Sequence, residues 1–145
     1  FVGGNGVTVL TNGNYVVRSS GWDNGNVTNA GAVTFGDGTT GVSGMVSAAN
    51  SLVGSTENDE VGYDSVVELT NGNYVVRSQD WDNGAATEAG AVTFGNGTTG
   101  VSGVVSAANS LVGSTANDYV GRYVTVLTNG NYVVRSEFWD NGAAT

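Results

Sequence analysis

The 145-residue chain combines thirteen acidic residues with four arginines, for a net charge of −9, and contains no proline, cysteine or histidine. Nucleic-acid binding rests on clustered Lys and Arg, so this balance argues against it, and it disfavours anionic membrane surfaces for the same reason. Without cysteine the chain has no disulfide and no zinc–thiolate site. No apolar run approaches the ~20 residues of a membrane span, so membrane insertion is not expected.

The first predicted element is a β-hairpin centred on Asn12-Gly13, in the segment "VTVLTNGNYVVRS" (7–19). Asn-Gly between two β-rich runs is the strongest short hairpin signal, because a type I′ turn needs two residues with positive φ. The continuous apolar run "YVV" predicts a second strand buried on both faces. The strand ends in an arginine in each copy, Arg18, Arg77 and Arg135. Each is expected to pair with an acid of a neighbouring repeat or to bind a carboxylate ligand.

The motif "WDNG" follows the hairpin and has two interpretations. Asp-Asn-Gly is turn chemistry, so the motif can be a bend whose Trp packs against a neighbouring repeat. An exposed Trp flanked by Asp and Asn is also typical of sugar recognition, where the ring covers a pyranose face and the polar groups bind hydroxyls. The candidate ligand-binding residues are Trp22, Asp23, Asn24, Trp81, Asp82, Asn83, Trp139, Asp140 and Asn141.

Two further strands complete the unit. "AGAVTFG" (30–36) predicts a third strand and "NSLVGS" (50–55) a fourth. The segment between them, "VSGMVSAAN" (42–50), is compatible with one helical turn, although its small residues favour a closely packed connection. With four strands and no sustained helical period, the unit is predicted to be all-β.

The chain is a tandem repeat of this unit with a period of 59 residues. "LTNGNYVVRS" begins at residues 10, 69 and 127, the third copy having lost one residue before it. The predicted repeats are 1–59, 60–118 and a partial third repeat, 119–145, that holds the first two strands. Four antiparallel strands at this period match the blade of a β-propeller, with a β-solenoid and a string of small sandwiches as the alternatives. Propellers close with typically 4–8 blades, so the chain is predicted to be an excerpt that needs further repeats of the same protein.

The segment "DEVGYDSVVELTNGNYVVRSQDWDNGAATEAGAVTFG" (59–95) resembles an FG-GAP blade, the repeat of the integrin α-subunit propeller. "VG" stands where that family has Phe-Gly, and "GAVTF" is similar to its third strand. The resemblance, and a looser one to repeats of bacterial surface proteins, implies an extracellular or cell-surface adhesion protein. Many FG-GAP blades also hold calcium through acids in the first turn, whereas "LTNGNY" carries no acid in any copy. Since calcium needs several oxygen ligands, mainly carboxylates, we predict no metal here and no cofactor.

Catalysis is not expected, because the chain lacks His and Lys for base chemistry and Cys as a nucleophile. Glycosidase-type carboxylate pairs remain conceivable, but acids that recur once per unit suit multivalent binding better than a single reaction centre. The leading hypothesis is therefore a surface binding or adhesion propeller whose partners are glycans or surface proteins. The alternative is a structural repeat scaffold without a ligand of its own. Burial of the Trp22 and Trp81 rings would favour the scaffold.

Overall fold

The computed structural model describes residues 2–142, so Phe1 and residues 143–145, at the outer ends of the predicted first and third repeats, lie outside it. This range contains no helix long and apolar enough to span a membrane. Its secondary structure is eleven strands: β1 (Val7–Val9), β2 (Tyr15–Ser19), β3 (Ala32–Gly36), β4 (Ser51–Val53), β5 (Ser65–Glu68), β6 (Tyr74–Ser78), β7 (Ala91–Gly95), β8 (Gly103–Val104), β9 (Ser110–Val112), β10 (Tyr123–Val126) and β11 (Tyr132–Arg135).

Each of the first two predicted repeats forms a sheet of four antiparallel strands in sequence order. The first sheet runs β1-β2-β3-β4, the second runs β5-β6-β7-β9, and the third repeat contributes the hairpin β10-β11. The all-β prediction is confirmed. The sheets within residues 2–142 do not close into a ring.

The hairpin predicted at Asn12-Gly13 is present, but the predicted turn type is wrong. Leu10 N–H donates to Asn14 O at 2.8 Å, and Gly13 N–H donates to Leu10 O at 2.9 Å. Gly13 has a φ of 90°, whereas Asn12 does not have a positive φ. A type I′ turn requires both. The observed loop of three residues, closed by a left-handed glycine, has the form of a type I turn followed by a bulge.

The hydrophobic core lies between consecutive sheets, which pack face to face. The first layer joins Val16, Val33 and Leu52 of the first sheet to Tyr74 and Val76 of the second. The second layer joins Leu69, Val75 and Val92 of the second repeat to residues of the third, namely Val120, Val124, Val126, Tyr132 and Val134. The middle repeat is therefore packed on both sides, and repetition of the sequence supplies both surfaces of each layer.

Burial of the "YVV" strand depends on its place in this array. In β6, Val75 and Val76 are both fully buried, as predicted for a strand covered on both faces. In β2, Val16 is buried but Val17 is only partly so, and in β11 Val133 is exposed. The prediction of two-faced burial is confirmed for the second repeat and wrong for the outer two, because each of these has a neighbour on one side only within the described residues.

The segment between the third and fourth strands behaves differently in the two repeats. In the second repeat it forms β8, which pairs in parallel with β4 of the first repeat, with Leu52 opposite Gly103 and Val53 opposite Val104. The second repeat thus adds a fifth strand to the first sheet. In the first repeat the corresponding residues 44–46 form no strand, and Met45 is exposed.

Candidate functional site

The "WDNG" motif forms a turn whose Asp and Asn side chains are engaged by the protein itself. Asp82 Oδ1 accepts a hydrogen bond from Glu88 N–H at 2.8 Å, and Asp23 Oδ1 accepts one from Asn29 N–H at 2.9 Å. These bonds close the loop between the second and third strands, the usual role of an Asp at the start of a turn.

The Asn of the motif ties this loop to the end of the fourth strand. Asn24 Nδ2 donates to Gly54 O at 3.0 Å, and Asn83 Nδ2 donates to Gly113 O at 2.8 Å. The amide groups that the sugar-binding hypothesis assigned to ligand hydroxyls therefore hold together two segments of one repeat in both complete copies. The exposed Asn141 lies in the partial third repeat.

The three Trp residues differ in exposure. Trp81 is 4% exposed and belongs to the core between the first and second sheets. Trp22 is partly buried, and Trp139 is 51% exposed. Trp81 and Trp139 lie at successive junctions, since Trp139 lines a pocket of about 240 Å³ with Leu111, Val112, Val120, Val134 and Ser136. The structure therefore does not gather the motifs into a single pocket.

A buried carboxylate joins each junction to the following "WDNG" turn. Asp59 Oδ2 accepts hydrogen bonds from Ser55 N–H and Thr56 N–H at 2.7 and 2.8 Å, and its Oδ1 accepts one from Asp82 N–H at 3.0 Å. Asp118 makes the same three bonds with Ser114, Thr115 and Asp140. The segments "STENDE" (55–60) and "STANDY" (114–119) thus lie beside the "WDNG" turns, and the sequence analysis did not single out their Asp59 and Asp118. Their identical position in both repeats was the available signal.

The two carboxylates differ in acidity although their donors correspond. Burial raises the pKa of Asp59 above its ordinary value, more than the backbone donors from Asp82, Thr56 and Ser55 lower it. At Asp118 burial acts in the same sense, but the donors from Asp140, Thr115 and Ser114 prevail and the pKa is lowered. The third repeat covers its junction less completely, as the exposure of Trp139 shows, which reduces the cost of the charge at Asp118.

Arg18 and Arg77 bind backbone carbonyls of the next repeat instead of an acid of that repeat. Arg18 Nη1 donates to Gly62 O and Tyr63 O at 3.3 and 3.1 Å. Arg77 Nε donates to Gly121 O at 2.6 Å, and its Nη2 donates to Arg122 O. Within residues 2–142 the ion pairs are Arg122–Glu137 and Arg135–Glu137, so the expected pairing with an acid of an adjacent repeat is wrong for Arg18 and Arg77.

Aromatic residues add a second contact between repeats that the sequence reading missed. The ring of Tyr74 covers Gly95, where an added Cβ would lie 2.1 Å from Tyr74 Cζ, so a side chain does not fit. The Tyr74 ring also stacks on Phe35 of the preceding repeat, with centroids 6.5 Å apart and planes within 2°. Phe94 and Tyr132 repeat the stack at the next junction.

An acidic cluster lies beside the second "WDNG" turn. Burial and repulsion by Asp64, Glu60, Glu88 and Asp82 raise the pKa of Asp80 to about 6. Within residues 2–142 there is no group of three or more acids arranged to hold a metal ion. The cluster thus contains a carboxyl group with a pKa well above that of an ordinary aspartate.

The comparison with protein families matches the chain over residues 9–63, 68–122 and 126–145 to a family described as a repeat of unknown function (DUF5650). The chain belongs to this family. Each match begins at the last residue of the first strand of a hairpin, and the first two end just after the "VG" that opens the next repeat. Searches of the curated proteins and of the solved structures found no match. Nothing in these comparisons links the DUF5650 repeats to FG-GAP repeats, so that resemblance stays a prediction.

Proposed function

We propose that this DUF5650 chain is a structural repeat array, in which each repeat serves as the packing surface for the next. The observation that carries the proposal is the burial of Trp81 at the junction of the first two repeats, where only 4% of it is exposed. The polar groups of the same motif are also engaged: Asp82 closes its own loop and Asn83 binds Gly113 O. A ligand site would need the hydrogen-bonding atoms of these groups to be free for the ligand.

The experiment compares two copies of one residue. Trp81→Ala removes a buried ring and should reduce the free energy of unfolding by about 3–5 kcal/mol. Trp139→Ala removes the corresponding half-exposed ring and should cost about 1 kcal/mol or less. Trp81→Phe, a smaller change, gives a graded loss if the Ala variant does not fold. Equal losses in Trp81→Ala and Trp139→Ala, measured by urea unfolding, would contradict the proposal.

We further propose that the array is part of a β-propeller closed by additional repeats. Its support is the sequential antiparallel order of the first two sheets and their face-to-face packing, which consecutive blades share. Small-angle scattering of tandem chains with two and with about six repeats tests this, because a propeller closes into a compact ring. A radius of gyration that keeps increasing in proportion to repeat number would instead indicate an open stack.

An extracellular or cell-surface location fits the acidic composition and the resemblance to adhesion repeats, and belongs to the same proposal. Its test is protease treatment of intact cells that produce the native protein. Loss of the protein under conditions that spare cytoplasmic markers would support surface display, and full protection would contradict it. Binding of glycans or surface proteins through "WDNG" is a separate candidate function that the exposed ring of Trp139 keeps open.

A further inference from the structure

The second repeat presents a surface whose counterpart in the first repeat is covered. Leu52 in β4 is fully buried, whereas Leu111, at the same place in β9, is 57% exposed. The difference comes from β8, because the second repeat lays residues 103–105 along the edge of β4, and Val105 N–H donates to Val53 O at 3.0 Å. Within the described residues β9 pairs only with β7, so its other edge is open.

The same contrast holds around the aromatic stack. Phe35 is packed closely by the backbone of the second repeat at Gly100, where an added Cβ would lie 2.6 Å from Phe35 Cβ. Phe94, its counterpart, is 43% exposed. It borders a pocket of about 510 Å³ with Asn71, Asn73, Leu127, Gly130, Asn131 and Tyr132.

The surface around Phe94 also includes a side-chain amide donor, that of Asn73. In the first repeat Asn12 Nδ2 and Asn14 Nδ2 both donate to Gly97 O of the second repeat, at 2.6 and 2.9 Å. In the second repeat Asn71 Nδ2 donates to Gly130 O at 3.2 Å. Asn73 Oδ1 accepts from Gly97 N–H, but Asn73 Nδ2 has no acceptor among the described residues.

The apolar pocket beside Trp139 is a further difference between the first junction and the second. At the first junction Val105 is 2% exposed and packs in the core that contains Leu52, Val61 and Trp81. At the second junction the corresponding residues Leu111, Val120 and Trp139 line the pocket of about 240 Å³. A valine side chain at the position of Val105 would enter this pocket.

We infer that Asn73, Phe94, Leu111 and Val112 form one docking surface for the strand-three-to-four segment of another repeat of this sequence. This inference rests on the proposed function, in which each repeat is the packing surface for the next. It assigns to the open face of the second repeat the contacts that the first repeat makes with the second. The surface would recognise four features of "GNGTTGVSGVVS" (95–106): a Gly97 carbonyl for Asn73, an unsubstituted Gly100 against Phe94, an extended backbone along β9, and Val105 in the pocket. Addition of a strand to a free edge is an established mode of peptide recognition.

The test adds a peptide with the sequence of residues 89–115 to the intact chain and measures binding by calorimetry and amide NMR. We expect saturable binding of one peptide per chain, with shifts at Leu111, Val112 and the Asn73 side-chain amide. A peptide carrying Val105→Asp should bind about tenfold more weakly or worse, because it would place a charge in the apolar pocket.

Two exposed positions on the protein give a matched pair. Leu111→Asp should abolish binding, whereas Val9→Asp, on the exposed β1 at the opposite end of the array, should leave it unchanged. Neither should shift the melting temperature appreciably, because both side chains are exposed. No saturable binding up to about 1 mM peptide, or binding that Leu111→Asp leaves intact, would overturn the inference. If Trp81→Ala still destabilised the chain in that case, the stacking proposal itself would stand.

Discussion

The carboxylate of Asp59 accepts a hydrogen bond from the backbone N–H of Asp82 at 3.0 Å, across 23 residues of sequence. The same carboxylate accepts bonds from Ser55 and Thr56, in the segment that crosses from the first repeat to the second. One fully buried side chain thus fixes the crossing and the next "WDNG" turn relative to each other. Asp118 and Asp140 repeat the contact at 2.9 Å, so the link is a property of the repeat.

Replacing this carboxylate by an amide should destabilise the chain. Asp59→Asn keeps one acceptor oxygen but turns an NH₂ group towards backbone donors, leaving at least one buried N–H without a partner. We expect a loss of about 2–3 kcal/mol in the free energy of unfolding, measured in urea. Glu57→Gln, an exposed acid-to-amide change in the same segment, is the control and should have little effect. Equal unfolding midpoints for the two variants would contradict this role for Asp59.

Asp80 should make stability depend on pH between about 4 and 6. Its pKa is about 6 in the folded chain, raised by burial and by neighbouring acids, against about 3.9 when unfolded. The folded state therefore binds the proton more tightly, so the contribution of Asp80 is fully present below the unfolded pKa and is lost as pH rises through 6.

Asp80→Asn should accordingly stabilise the chain at pH 7.5 by about 1 kcal/mol, after allowance for solvent screening of this partly buried group. The advantage should shrink at pH 5, and added salt should reduce it by screening the acidic neighbours. Thermal melts of both proteins at several pH values measure this. A destabilised Asp80→Asn chain at pH 7.5 would show that the carboxylate has a partner that we have not assigned.

Lysine should not be able to replace the forked guanidinium group of Arg77. Arg77 donates to two carbonyls of the next repeat and, through Nη1, to Ser65 Oγ at 3.2 Å. An ammonium group has the charge but not the planar set of donors. Arg77→Lys should therefore lower the free energy of unfolding by about 1–2 kcal/mol. Arg135→Lys, at the corresponding but exposed position, should change it by less than about 0.5 kcal/mol. Equal losses in the free energy of unfolding for Arg77→Lys and Arg135→Lys would rule out this role for the Arg77 guanidinium.

The strands were predictable from the sequence because their signals are local. The Asn-Gly turn between β-rich runs located the hairpins, and "AVTFG" and "SLV" located the third and fourth strands. The turn type was not predictable, since Asn-Gly suits both the expected two-residue turn and the observed three-residue loop with left-handed Gly13. This error concerns the conformation of the loop and not the pairing of the strands.

Features that depend on contacts between repeats could not be read from the sequence. Residues 101–105 and 42–46 are almost the same, yet only the former contribute a strand, because only they have the edge of β4 beside them. Likewise, the sequence shows that Arg18 ends a strand but not that carbonyls of residues 62 and 63 lie within reach. The candidate "WDNG" residues were found, whereas the burial of Trp81 required the neighbouring sheet.

Calcium should not affect the stability of the chain through the "LTNGNY" turns. Asn12 Oδ1 accepts a bond from Asn14 N–H at 3.0 Å, and Asn14 Oδ1 accepts one from Gly38 N–H at 2.9 Å. The two amide oxygens of the turn are thus engaged with backbone donors, and the turn itself carries no carboxylate, the ligand that calcium prefers. Melting temperatures in excess calcium and in excess chelator should agree. A shift of many degrees would place a cation site elsewhere in the chain.

The last prediction separates a glycan-binding role for "WDNG" from the structural one. If the motif binds sugars, the exposed copy is the one available, since the ring of Trp139 is half exposed and that of Trp81 is not. Even there, the pocket that it lines is formed largely by Leu111, Val112, Val120 and Val134. These side chains offer no hydrogen bonds to sugar hydroxyls, so the pocket suits the apolar face of another β-segment better.

We therefore expect a glycan panel to give no signal that depends on Trp22, Trp81 and Trp139. The comparison uses the parent chain, Trp139→Ala, Trp22→Ala and the triple Ala variant, with circular dichroism to establish which of them are folded. Glycan binding that Trp139→Ala weakens in a folded chain would restore the sugar-binding hypothesis at that copy. Repeated weak sites reinforce one another only when several can be occupied together, because linkage raises the effective concentration for the second binding event. Burial of Trp81 in the middle of the array removes one of those sites, which is why we expect the stability measurements, and not the panel, to respond to these substitutions.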